Sequence, residues 1–171
     1  AYLSLLTEGY EQLFIQQVCT KAVVTRPTFY KLYKDISELR KDLIEKLLLE
    51  LKESLTIRNP RPLHETPKDE MLENLISLFE HIRKNHIAYE TLLINQPDAL
   101  FTNGIQDLLK EYVEQGIDLA QTRPYLINVD EQLIIAYVAG AYLASIRWWI
   151  TTNYETSPSY MSKTLIELSL N

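Results

Sequence analysis

Six apolar residues recur every three or four positions between residues 36 and 55, and this run constrains the fold of the 171-residue chain most strongly. Side chains at this spacing line one face of an α-helix. The run therefore predicts an amphipathic helix of about 19 residues, roughly 30 Å long, with Ser37 as its N-cap. Leu-rich segments of the same period continue along the chain and strand-like alternation is nearly absent, so we predict an all-α fold of about nine helices. The six residues are Ile36, Leu39, Leu43, Leu47, Leu51 and Leu55.

The clearest interruption of the helical pattern is rich in proline. Residues 57–67 contain three prolines, which forbid a continuous helix there. Thr66 then offers an N-cap for a new helix. We therefore divide the chain into an N-terminal head (residues 1–36), a connecting helix (37–55) and a C-terminal body (56–171). Because Ala1 already lies in a helical pattern and is not Met, we expect more of the first helix and a basic arm to precede it.

Residues 18–33 carry the signals of two short helices separated by a tight turn. The first helix should end near Ala22, and Thr25 can then cap the next by accepting a hydrogen bond from a backbone N–H. Pro27 falls in the first turn of that second helix, where a missing N–H costs little. The arrangement is a helix-turn-helix, whose second helix can enter the major groove of DNA.

The charge pattern singles out the same element. The chain has a net charge of −6, yet positions 21 to 34 contain four cations and no Asp or Glu. Residues 1–55 hold eight basic and eight acidic side chains, which leaves nine and fifteen for the remainder. A basic face on an acidic protein is typical of a phosphate contact, although acidic helices are also common as plain soluble surface. The four cations are Lys21, Arg26, Lys31 and Lys34.

Two stretches of the sequence carry a family resemblance. Residues 22–33 read A-V-V-T-R-P-T-F-Y-K-L-Y, and an acidic residue and a Leu-rich helix follow them. They resemble the DNA-binding domain of TetR/AcrR-type bacterial transcriptional regulators, whose pattern is roughly A-G-V-S-x-x-T-F/L-Y-x-H-F. Residues 139–149, A-G-A-Y-L-A-S-I-R-W-W, with S-P shortly after, look like the C-terminal helices of the same family. The resemblance thus covers both ends of the chain.

The resemblance implies a set of DNA-binding residues. Arg26, Pro27 and Thr28 occupy the positions that read bases, and Arg26 could bind guanine through two hydrogen bonds. Four further residues would hold phosphates without reading sequence. These four are Thr25, Tyr30, Lys31 and Lys34.

Three positions depart from the family pattern. Val23 replaces the usual turn glycine, so a left-handed backbone there would cost about 1–2 kcal/mol. Phe14 replaces the threonine that caps the second helix and touches phosphate, and Ile36 replaces a lysine at the start of the fourth helix. Two phosphate contacts are therefore expected to be absent. A simpler interpretation is that Phe29, Tyr30 and Tyr33 only form the core of a small helical bundle.

Residues 134–150 form the most apolar segment, and such a helix must be buried on most faces. Ala136, Gly140 and Ala144 recur every fourth residue, which permits close approach of another helix. In the resembled family the last two helices pair with their symmetry mates, so a homodimer is implied; an ordinary monomer core is the alternative. The predicted interface residues are Ala136, Gly140, Ala144, Trp149, Met161, Leu165 and Leu168.

The resembled family also responds to small molecules, which implies an effector pocket in the body. His86 is the most pointed candidate, because a polar group in an apolar pocket orients ligands. Aromatic residues at helical spacing are, however, more often core than pocket. The candidate ligand-binding residues are Phe79, His86, Tyr89, Leu93, Tyr112 and Tyr137.

Other classes of function find no support in the sequence. There is no phosphate-cradling glycine loop and no G-x-S-x-G. His81 and His86 do not share a helical face and Cys19 is the single cysteine, so we predict no enzyme, cofactor, metal site or disulfide. The longest uncharged run, residues 132–146, is too short to span a membrane. A single cysteine fits a reducing cytoplasm.

The sequence is best interpreted as a dimeric DNA-binding regulator, a repressor that a small molecule releases from a palindromic DNA operator. An activator or partner regulator on the same scaffold is one alternative. A helical ligand-binding or interaction dimer with a degenerate head is another, and Phe14, Val23 and Ile36 motivate it.

Overall fold

A computed structural model describes residues 1–9, 13–55, 68–116 and 129–170, and all regular structure in these ranges is helical. This confirms the predicted all-α fold. The break at residues 57–67, the Thr66 cap and residues beyond 116 up to 128 lie outside the described residues. The helices are α1 (Tyr2–Thr7), α2 (Ile15–Ala22), α3 (Arg26–Leu32), α4 (Ile36–Ser54), α5 (Lys68–Lys84), α6 (His86–Tyr89) with a π-helical continuation (Glu90–Asn95), α7 (Ala99–Gly116), α8 (Glu131–Thr151) and α9 (Pro158–Leu170).

Local capping signals fix where the helices of the head begin. The Thr25 hydroxyl accepts a hydrogen bond from the Thr28 N–H at 3.3 Å, as predicted for the start of α3. The prediction of Ser37 as the cap of α4 is wrong. The Asp35 carboxylate accepts from the Glu38 N–H at 2.9 Å instead, and a charged acceptor at a helix N-terminus also interacts favourably with the helix dipole.

Helix α4 contributes to two hydrophobic cores. Ile36 and Leu39 at its start pack against the small core of the head, which consists of Leu5, Val18, Cys19 and Phe29. Further along, α4 packs into the large core of the body. Helix α4 therefore contacts both cores, and α1 adds a second connection because Leu6 lies in the large core. Its residues in the body core are Ile44, Leu47 and Leu51.

The body core combines residues of α5 to α9 with those of α4 and with Leu6 of α1. Helix α5 packs against α9, and α7 packs against α8. At its centre the Trp149 ring meets Phe79 edge-on at 5.0 Å and Tyr154 at 4.9 Å, and its indole N–H donates to the Thr156 carbonyl at 2.8 Å. These contacts use both the apolar and the polar part of the tryptophan.

Helix α8 is apolar on two faces, and the described residues cover only one of them. Among the described residues it is the one helix long and apolar enough to cross a membrane, with a mean hydropathy of 1.5. Its covered face packs into the body core, whereas Leu133 and Tyr137 on the other face are 63% and 75% exposed. The covered residues are Ile135, Ala139, Tyr142, Ile146, Trp149 and Ile150.

The turn between α2 and α3 contains a strained residue. Val23 has φ 56° and ψ 43° and ends α2 in the left-handed region, at the position where the resembled family has glycine. We expect Val23→Gly to raise the free energy of unfolding by about 1 kcal/mol, because glycine adopts this conformation without the Cβ clash. Urea unfolding measures the effect. Ala22→Gly, one residue earlier in α2, should instead cost about 1 kcal/mol, and equal losses in the two variants would contradict the strain.

Candidate nucleic-acid interface and body site

Helix α3 has one buried anchor and an open outer face. Phe29 is 4% exposed and packs into the head core, with the Tyr30 and Tyr33 rings each 5.7 Å from its ring. The other residues of α3 face solvent, because no other part of the described chain covers them. All seven predicted DNA-binding residues lie on this exposed surface: Thr25, Arg26, Pro27, Thr28, Tyr30, Lys31 and Lys34.

The four cations of the head are not equivalent. Lys21 forms an ion pair at 2.6 Å with Glu8, the C-cap residue of α1, which partly neutralises it. Within the described part of the chain, the side chains of Arg26, Lys31 and Lys34 form no ion pair. The open basic surface therefore centres on α3 and the residues directly after it.

The positions that depart from the family pattern have structural roles. Phe14 stands at the N-cap position of α2 and is 63% exposed, but it has no hydroxyl to offer. The Gln17 side chain accepts from the Phe14 N–H at 2.8 Å, so that end of α2 is still partly capped. Ile36 packs against the head core. Neither side chain has a hydrogen-bond donor to offer a phosphate.

Tyr33 links α3 to α4, which sequence reasoning did not foresee. Its hydroxyl donates to the Asp42 carboxylate at 2.7 Å, and this hydrogen bond raises the pKa of Tyr33. Together with the Phe29 contact, the bond fixes the end of α3 against α4.

The predicted ligand-binding residues separate into three environments. Phe79, Tyr89 and Leu93 are fully buried in the close-packed core, and Tyr112 is largely buried, which raises the pKa of its hydroxyl. His86 lies at the surface, where its ring contacts the Glu90 carboxylate at 3.3 Å. Tyr137 is not brought together with the others, because it lies on the uncovered face of α8.

A cavity of about 330 Å³ lies between α1, α4 and the junction of α5 with α6. Its apolar residues come from α1, α4 and α6, and its charged residues are Lys46, Glu50 and Lys84. His86 is the one predicted ligand-binding residue in its lining. The full lining is Leu3, Leu43, Lys46, Leu47, Glu50, Lys84, Asn85, His86, Ile87 and Ala88.

Two buried polar atoms lie close to Glu50. Within the described ranges the Tyr89 hydroxyl and the Nε2 atom of His81 have no hydrogen-bond partner, and the two rings meet edge-on at 5.8 Å. Burial lowers the pKa of His81 and raises the pKa of Tyr89. The negative charge of Glu50 makes a smaller contribution, which is upward for both groups. The sequence did not point to His81 or Glu50, because only the tertiary fold brings Glu50 of α4 near His81 of α5. Unpartnered buried polar groups are uncommon and require an explanation.

The predicted dimer residues also divide. Ala136 and Ala144 are exposed, Leu168 is 74% exposed, and a Cβ placed on Gly140 would meet nothing within 4 Å. Trp149, Met161 and Leu165 are instead buried in the core of their own protomer, at 0%, 5% and 4% exposure. These three are therefore unavailable to a second copy, because the phase of α8 and α9 turns them inward. Residues of the open surface that were missed are Leu133, Trp148 and Tyr160.

A protein-family model matches the larger part of the chain. Residues 69–171 match the model described as a transcriptional regulator C-terminal region of the TetR type. The chain belongs to the TetR family. No curated protein matches it significantly.

A solved structure supports the same fold over the whole of this TetR-family regulator. This chain is similar to the solved structure of the dihydroxyacetone kinase operon activator DhaS, with a TM-score of 0.65 over 99% of this chain and 89% of that one. The two sequences are 17% identical, so the similarity concerns the fold alone.

Stability of this TetR-family protein should depend on pH through His81. Burial lowers the pKa of His81, so the unfolded chain, with an ordinary pKa of about 6.5, binds the proton more tightly. The free energy of unfolding should therefore fall as pH drops below about 6.5 toward the lowered folded pKa. Thermal unfolding of wild type and His81→Gln at a series of pH values measures this. The exposed His86→Gln is the control, and an equally steep acid loss in His81→Gln would contradict the assignment.

Proposed function

We propose that the chain is a dimeric DNA-binding transcriptional repressor that a small molecule releases from a palindromic operator. The observation that carries the proposal is the open basic face of α3. Arg26, Lys31 and Lys34 are exposed and form no ion pair within the described residues, although the whole chain has a net charge of −6. Helix α3 presents its N-terminal residues as recognition helices do, so Arg26 to Thr28 would meet base edges. A role at DNA places the protein in the cytoplasm.

The open face of α8 supports the dimer. It combines small residues, at Ala136, Gly140 and Ala144, with the exposed apolar side chains of Tyr137 and Trp148. Contiguous apolar surface of this kind marks an interaction site. A two-fold interface there, extended by Leu168 of α9, would pair two α3 helices with half-sites about 34–36 Å apart or a multiple of it.

The cavity beside α4 is the proposed effector site. It is bounded by the helix that carries the head and by Lys84 and His86 of the body, so an occupant contacts both parts. Apolar walls with a few polar groups are typical of small-molecule sites. An effector that binds better when α4 is displaced would shift the population away from the DNA-binding state.

Binding to selected DNA tests the proposal. The protein is offered a library of random duplexes, the enriched sequences are tested for two-fold symmetry, and affinity is measured across a salt series. We expect a palindrome bound by one dimer, with log K falling steeply against log salt concentration. No enrichment above random DNA would reject the regulator.

Specific observations support two alternatives to a ligand-released repressor. DhaS is named an operon activator, so activation rather than repression on this scaffold is the first; transcription from the selected operator decides the sign. The second is a ligand-binding or interaction dimer with a degenerate head, which Phe14 and Ile36 favour because neither side chain has a hydrogen-bond donor to offer a phosphate. Retained dimerisation without any selected DNA sequence would support this second alternative.

A further inference from the structure

Helices α4 and α7 meet along a seam that joins the head-bearing helix to the body. Near its start, the Arg40 guanidinium lies 3.1 Å from the Asp98 carboxylate, whose side chain is only 7% exposed. The other oxygen of Asp98 accepts from the Phe101 N–H at 3.1 Å, so Asp98 also caps α7. One buried carboxylate thus fixes the start of α7 and holds a cation of α4.

The second contact of the seam is steric. A Cβ built on Gly104 of α7 would lie 2.3 Å from Cδ1, 3.0 Å from Cδ2 and 3.2 Å from Cγ of Leu48 in α4. The branched end of Leu48 therefore occupies the space that any other residue at position 104 would need. A side chain at position 104 would therefore require either a new rotamer of Leu48 or a wider separation of the two helices, whereas the φ of Gly104 does not require glycine.

We propose that Arg40–Asp98 and Leu48–Gly104 are positioning residues that set the direction of α4, and with it the position of the DNA-reading head on the body. The inference rests on the proposed function, because the direction of α4 matters to DNA only if α3 binds it. The two contacts lie on one helix pair. They act in different ways: the ion pair holds α4 laterally, and the glycine sets how near it lies to α7.

Two conservative variants separate these roles from plain stability. Gly104→Ala places a methyl group against the end of Leu48 and gains helix propensity, so it should displace α4 without unfolding α7. Asp98→Asn keeps an acceptor for the Phe101 N–H but loses the charge that holds Arg40. Asn103→Ala, at the exposed neighbouring position of α7, and Lys41→Gln, which breaks the exposed ion pair with Glu45 within α4, are the matched controls.

The first measurement is the distance between head and body. Spin labels at Gln16→Cys in α2 and Lys163→Cys in α9, both exposed, are introduced with Cys19→Ala and diluted with unlabelled chain. Double electron–electron resonance should show a displaced distance distribution in Gly104→Ala and a broader one in Asp98→Asn. Adding Leu48→Ala to Gly104→Ala should return the wild-type distance, because it restores the space. An unchanged distribution in either single variant overturns the proposal.

The second measurement uses DNA. On the selected operator and on versions with altered half-site spacing, we expect Gly104→Ala to bind the original spacing about tenfold more weakly, within the usual range of coupling between sites, and to prefer another spacing. An unchanged spacing preference overturns the proposal while leaving the regulator intact. If the wild type selects no DNA, the proposed function fails, and the distance measurement still decides the seam.

Discussion

Arg26→Ala should abolish sequence-specific DNA binding and leave the protein folded. Arg26 is the first residue of α3, exposed and without an ion pair among the described residues, so its removal leaves no buried partner behind. A bidentate contact from arginine to guanine is worth about 1–3 kcal/mol of discrimination. A two-fold dimer loses that contact in both half-sites, which corresponds to a loss of about 30-fold to 10⁴-fold in affinity for the selected operator.

Lys31→Ala is the comparison that separates reading from phosphate binding. Lys31 lies on the same helix but would hold phosphate, so its loss should weaken selected and random DNA alike and reduce the salt slope by about one for each contact removed. Fluorescence anisotropy with both DNAs across a salt series measures the two variants, and Lys163→Ala on α9 is a distant control. Should Arg26→Ala keep the wild-type preference for the selected sequence, base reading by Arg26 would be wrong.

Local signals made the head largely predictable. Thr25 and Pro27 act within one helical turn, so the start of α3 follows from the residues themselves, and the structure confirms it. The start of α4 was missed by two residues, because Asp35 and Ser37 can both cap and the sequence does not rank them. The pairing of Lys21 with Glu8 joins two helices, and no local pattern contains it.

The body was predictable in its helices but not in their rotation. An amphipathic stripe fixes which face of a helix turns inward, as it did for α4. Helix α8 is apolar nearly all round, so the spacing of its apolar residues does not show which face turns inward. Packing against α7 determines that face instead. Trp149 was therefore assigned to the interface and Tyr137 to the pocket, whereas Trp149 is buried and Tyr137 is exposed. The polar group of Glu50, His81 and Tyr89 likewise depends on tertiary contacts.

Adjacent tryptophans of α8 should give opposite results when they are changed. Trp148 is 52% exposed on the open face, whereas Trp149 is fully buried against Phe79 and Tyr154. Trp149→Ala should lower the free energy of unfolding by about 3–5 kcal/mol, as truncation of a large core residue does. Trp148→Glu should leave each protomer helical, because its side chain contributes little to the core of its own chain.

Trp148→Glu should instead separate the dimer and, through it, disrupt DNA binding. A carboxylate would be placed on an apolar two-fold surface, where it faces its own copy and loses water without gaining a partner. The separated protomers each reach one half-site, so affinity for the palindrome should fall by about 10²–10⁴-fold, the usual gain from joining two binding modules. Analytical ultracentrifugation, circular dichroism and DNA titration of the same samples measure mass, helicity and affinity, with Trp148→Phe as the apolar control. If Trp148→Glu remains dimeric and binds the operator normally, two copies do not meet through this face of α8, and the two α3 helices must be paired by another surface.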